Sequence, residues 1–328
     1  MTATPSQFES AVLETVVFFD LFDYPLTSFE IWQNLPRIKI SFEQFAATLP
    51  ENQSLDKQNG FYFLKGREKI VAERQKNYRE ALQKIKIARR FIKYLRLIPF
   101  VKGVALCNSL GYLNARKTDD IDLFVLVEPR KLWLTRGLAV LLAELLATRP
   151  SSGKTRNAIC LSFFATETAD LSSLRLQPQD LSSCQSGRED PYFNWWLTRL
   201  LPLYDVGGVW QEFFTRNAWI YGQHPNFFLT RPAPRLIISP PHQNLWCGGE
   251  PIPKMLRFIL KSIFFWLSTD FMERMARVVQ WRLMPVKMKA LVNQDTRVVL
   301  NNEVLKFHVD DRRELYKQAW EKRLEGLI

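Results

Sequence analysis

Two carboxylates separated by one residue, Asp120 and Asp122, carry the strongest chemical signal in the chain. They open an apolar run of strand type, Ile121 to Val127. Alternate strand residues project to one face, so both carboxylates point the same way, roughly 6.5 Å apart at the backbone. Ile121 points the other way, into a core. Two carboxylates converging on a sheet face suit a hard divalent cation, Mg²⁺ or Mn²⁺. In nucleotidyl transfer such pairs hold ions about 3.5–4 Å apart; one activates the attacking hydroxyl and the other stabilises the leaving pyrophosphate. An isolated Asp-x-Asp is a weak signal, and the competing reading is a charged loop, Asp119 to Asp122, leading into a strand.

The elements that must position this pair follow a β-α-β-α-β order. Val101 to Cys107 reads as a strand and Ser109 to Ala115 as a compact turn or short helix. After the Ile121–Val127 strand, Pro129 to Thr148 reads as a helix, Pro150 to Asn157 as a loop and Ala158 to Ala165 as a third strand. The pattern predicts an α+β fold with a mixed sheet over residues 99–206.

The stretch Val104-Ala105-Leu106-Cys107-Asn108-Ser109, followed by Ala115-Arg116-Lys117-Thr118-Asp119-Asp120-Ile121-Asp122-Leu123-Phe124-Val125, resembles the signature of the DNA polymerase β nucleotidyltransferase superfamily. The resemblance covers about 100 to 170 as the palm domain. It implies an NTP substrate, Asp120 and Asp122 as catalytic metal ligands, and Asn108, Ser109 and Arg116 beside the nucleotide phosphates. Where the family has Gly before Ser, this chain has Asn108, the non-Gly type that best tolerates unusual backbone angles. The family's third carboxylate is missing from the strand Ile159 to Phe164, which leaves Glu167 and Asp170, just past it, as candidates. More broadly the chain is similar to a group of uncharacterised bacterial nucleotidyltransferase-domain proteins, including Asp-Leu-Phe-Asp-Tyr-Pro-Leu-Thr at 20–27 and Leu-Lys-Phe-His at 305–308.

Upstream, residues 1–66 read as a winged-helix-like unit. Three short helices (Phe8–Phe22, Phe29–Leu35, Phe42–Leu49) precede a hairpin signalled by Asn59-Gly60. The third helix carries no Lys or Arg, so protein binding or a structural role fits better than base reading. Residues 67–98 read as a long basic helix. Residues 207–328 read as a helical C-terminal region, with a basic stretch at 252–283 and a charged last helix from about Asp310.

The 328 residues carry a net charge of +12. Arg67 to Arg96 holds 11 basic residues against three acids, and Lys254 to Lys289 holds eight against two. These basic segments, 67–96 and 254–289, suit an anionic partner (nucleic acid, a nucleotide or an anionic membrane surface) or, as solvated helix faces, no partner at all. Four scattered cysteines and three histidines build no zinc spacing. No signal peptide opens the chain, and no apolar run reaches the roughly 20 residues of a spanning helix; a cytoplasmic location is expected. Ser152-Gly153-Lys154-Thr155 ends like a phosphate-binding loop but lacks its first Gly. Two functions follow: a metal-dependent nucleotidyltransferase moving NMP from an NTP to a hydroxyl, or a catalytically degenerate palm that binds nucleotide or nucleic acid.

Overall fold

The computed structural model describes residues 5–49, 54–150, 155–176, 190–229, 262 and 269–327. Helix α1 (Pro5–Asp20) buries Val12, Val16 and Phe19 on one face. Tyr24 and Pro25 break it, and Leu26–Thr27 form the two-residue strand β1. Thr27 caps α2 (Ser28–Gln33) in a capping box with Glu30, and Ser41 caps α3 (Phe42–Thr48). The hairpin of β2 (Leu55–Gln58) and β3 (Phe61–Leu64) turns at Asn59 and Gly60, both at positive φ. Strand β1 adds to its edge, giving a three-stranded antiparallel sheet in the order β1-β3-β2.

Helix α4 (Lys69–Leu95) follows and buries Ala81, Ile85, Ala88, Phe91 and Ile92 against the central sheet. That sheet has six strands in the order β7-β4-β5-β6-β9-β8. The strands are β4 (Val101–Leu106), β5 (Ile121–Val127), β6 (Ile159–Thr166), β7 (Leu201–Asp205), β8 (Val298–Leu300) and β9 (Val304–Phe307). Among the described strands only β5 and β6 pair in parallel, joined by α6 (Leu132–Leu145) as crossover. The four-residue α5 (Asn108–Gly111) links β4 to β5. Every residue of β5 except Asp122 is buried, because helices cover both faces of the sheet. Helices α4 and α6 lie on one face. On the other lie α7 (Pro191–Thr198), α8 (Val209–Arg216) and α9 (Trp219–Gln223).

Two differences from the sequence reading concern the C-terminal half. Residues 207–328 are not wholly helical, since β8 and β9 complete the central sheet. Strand β7 also falls where no strand was expected; its Pro202 is tolerated because β7 is an edge strand. Helix α10 (Asp270–Leu283) packs on α6, with Glu273 accepting from the Trp133 and Leu134 amides at 2.8 Å. The short α11 (Val286–Lys289) follows it. The last helix, α12 (Arg313–Glu325), places Trp320 and Leu324 in the core of the N-terminal unit. Most of the 252–269 stretch, and residues 152–154 of the phosphate-loop-like segment, lie outside the described residues.

Candidate functional site

Asp120 and Asp122 flank the first residue of β5, on the face covered by α7. The parallel pairing sets Asp122 opposite Cys160 of β6. Ligand atoms of Asp120, Asp122 and Cys160 all lie within 4.8 Å of one another. The pair is held from two sides. Asn108 Nδ2 donates to Asp122 Oδ2 at 2.8 Å, and Trp196 Nε1 donates to Asn108 Oδ1 at 3.0 Å. Asn108 has φ +51°, the left-handed conformation that Gly adopts most cheaply and Asn next. At Gly111 a Cβ would stand 2.5 Å from the Arg199 carbonyl oxygen, so only Gly lets α5 seat against the end of α7.

From the other side comes Lys84 of α4, which is buried. Its ammonium donates to the carbonyls of Lys117 (3.3 Å) and Asp119 (2.6 Å) and to Asn157 Oδ1 (2.8 Å). It thereby fixes the loop that delivers Asp120. The sequence reading counted Lys84 only within the basic stretch. Its position among Ala81, Ile85 and Ala88, at i−3, i+1 and i+4, marks it as part of the buried stripe.

Like charges at close range shape the electrostatics. Burial, then repulsion from Asp122, pushes the Asp120 carboxyl up to about 6. Asp122 is also raised by burial, against the stabilising Asn108 amide. Burial and the neighbouring Asp122 push the Cys160 thiol far above its usual range, so it stays protonated. The thiol donates to Ser162 Oγ at 3.4 Å, which lies 3.2 Å from His308 Nε2. Burial and then Lys306 hold His308 down at about 4, so the imidazole is neutral at pH 7. The Ser162–His308 contact joins the 305–308 segment to the site's margin; sequence reasoning assigned that segment no role there.

The two carboxylates fit a single hard cation that draws its remaining ligands from water or phosphate oxygens. They fit a two-ion arrangement poorly, because the third corner is a protonated thiol. Glu167 and Asp170 do not supply the missing carboxylate. The Glu167 amide donates to the carbonyl of Val127, at the far end of β5, about 16 Å along the strand from Asp122. Asp170 caps the turn Leu171–Leu174 through Ser172.

Ser109 lines a cavity of about 320 Å³ together with Asn108 and Arg116. Arg116 pairs with Asp23 at 3.3 Å while remaining largely exposed. No family model matches the chain, and neither the curated proteins nor the solved structures yield a match.

Proposed function

We propose that the chain is a nucleotidyltransferase-like palm that binds a nucleotide through one divalent cation at Asp120 and Asp122, and that transfer itself is lost or weak. The observation that carries this reading is the register of β6 on β5, which sets Cys160 opposite Asp122 where a third carboxylate would serve as general base. The cation, Mg²⁺ or Mn²⁺, would supply charge neutralisation at the phosphates. The protein's own part is positional: Asn108 orients Asp122, and Lys84 fixes the loop before Asp120. Support also comes from Ser109 and Arg116, which share one cavity beside Asn108.

A polynucleotide is a second partner favoured by α4. Arg67 and Arg74 pair with acids of the N-terminal unit and Lys84 is buried. Lys69, Lys76, Arg79, Lys86, Arg90 and Lys93 are exposed. At 3.6 residues per turn these six fall within about a third of the circumference of a helix about 40 Å long, with no acid among them. Such a cationic face follows a phosphate backbone, and its affinity should fall steeply with salt.

The test of function is release of pyrophosphate or transfer of label from each NTP with Mg²⁺, in the intact chain and in Cys160→Asp. Metal-dependent nucleotide binding with no turnover, and turnover gained in Cys160→Asp, is the expected result. Turnover by the intact chain that is lost in Asp120→Ala/Asp122→Ala would establish an active transferase instead.

A further inference from the structure

The segment Asp20 to Thr27 plays no part in the metal site, yet it meets the palm directly. Leu21, Phe22 and Tyr24 form one wall of the 320 Å³ cavity, and the residues after β4 form the other. Six of its twelve lining residues carry aromatic rings. Phe22 packs on Tyr316 at 4.9 Å between centroids, and Tyr316 stacks on Tyr192 at 5.5 Å and 8°. Polar groups lie on the palm side, where Ser109 and Arg116 sit next to Asn108, whose amide reaches Asp122.

We propose that this cavity seats a nucleobase. The proposal rests on the reading of Asp120 and Asp122 as the phosphate-side metal site, and it adds where the aromatic end of the ligand goes. Two observations converge. The volume lies within the range of small-ligand pockets. Rings make up half of the lining residues, beside Ser109 and Arg116, and every base offers a π face for stacking. The pocket draws residues from the N-terminal unit, the palm and α12; Asp23 pairs with Arg116 of the palm and Asp20 with Arg323 of α12, which ties these parts together.

Binding of free nucleosides without metal, followed by saturation-transfer NMR and equilibrium dialysis, separates this proposal from the metal reading. At least one of adenosine, guanosine, cytidine and uridine should bind the intact chain. Tyr316→Ala should weaken it about tenfold by removing a stacking partner, with circular dichroism confirming the fold. Tyr192→Ala, which removes the ring stacked on Tyr316, should weaken it too. Asp120→Ala/Asp122→Ala should abolish the separate, Mg²⁺-dependent binding of inorganic tripolyphosphate. No nucleoside binding at millimolar concentration, or binding indifferent to both tyrosine variants, would overturn the pocket. Loss of the tripolyphosphate result alone would overturn the metal reading and leave the pocket standing.

Discussion

At Arg313 the chain buries two cations among two carboxylates; at Asp120 and Asp122 it half-buries two carboxylates with no ion pair to a described residue. Arg313 binds Asp190 at 2.7 Å, Asp311 at 3.0 Å and the Leu174 carbonyl at 2.9 Å, while Lys306 binds Asp311 at 2.7 Å. Burial alone would raise Asp311, but Arg313 and Lys306 outweigh it and hold the carboxyl at about 2. Asp120, under similar burial, goes the other way, up to about 6. The first cluster is internally balanced and joins α12 to the start of α7. The second is left uncompensated, which the proposed cation would relieve.

The largest test of this contrast removes balance where it exists. Arg313→Ala strands Asp190 and Asp311 in the interior and should cost about 3–5 kcal/mol in urea unfolding. Asp120→Asn removes repulsion where balance is absent, and should leave stability unchanged or higher at pH 7. A large loss in Asp120→Asn would erase the distinction between the clusters.

A smaller effect is expected at Lys84. Lys84→Met leaves two loop carbonyls and the Asn157 amide oxygen without their buried donor, a cost of about 1–3 kcal/mol. Because the loop before Asp120 loosens, the same variant should weaken Mg²⁺ binding; unaltered metal affinity would mean that Lys84 supports the fold alone.

The pH dependence sharpens the contrast further. A carboxyl whose folded value is raised favours the protonated state, so the Asp120 site should gain stability as pH falls from above 6 toward 4. The Arg313 cluster should show the reverse sign: its stability is present above the usual aspartate value of about 4 and is lost as pH falls toward 2. Saturating Mg²⁺ should raise the melting temperature at pH 7 and much less at pH 5, where Asp120 must first lose its proton. Equal stabilisation at both pH values would place the ion elsewhere.

Much of this was legible in the chain itself. The strand at Ile121–Val127 and the hairpin turn at Asn59-Gly60 follow from local rules that tertiary contacts did not override. Hairpin β8–β9 was missed because two short apolar runs, Val298–Leu300 and Val304–Phe307, depend on a distant strand, β6, for their pairing. In the site, Asp-x-Asp spacing implied a shared face, but no local signal gives strand register. Register is what puts Cys160 opposite Asp122 and sends Glu167 to the other end of the sheet. Lys84 shows the same limit in a helix, where charge counts alone do not say which cations turn inward.

The central claim is that Asp120 and Asp122 together hold one divalent cation. Titration with Mn²⁺ followed by electron paramagnetic resonance tests it most directly. The account predicts one ion bound per chain at pH 7, displaced by Mg²⁺ and lost in Asp120→Ala/Asp122→Ala. Binding that persists in the double variant, or no binding to the intact chain at millimolar Mn²⁺, would contradict it.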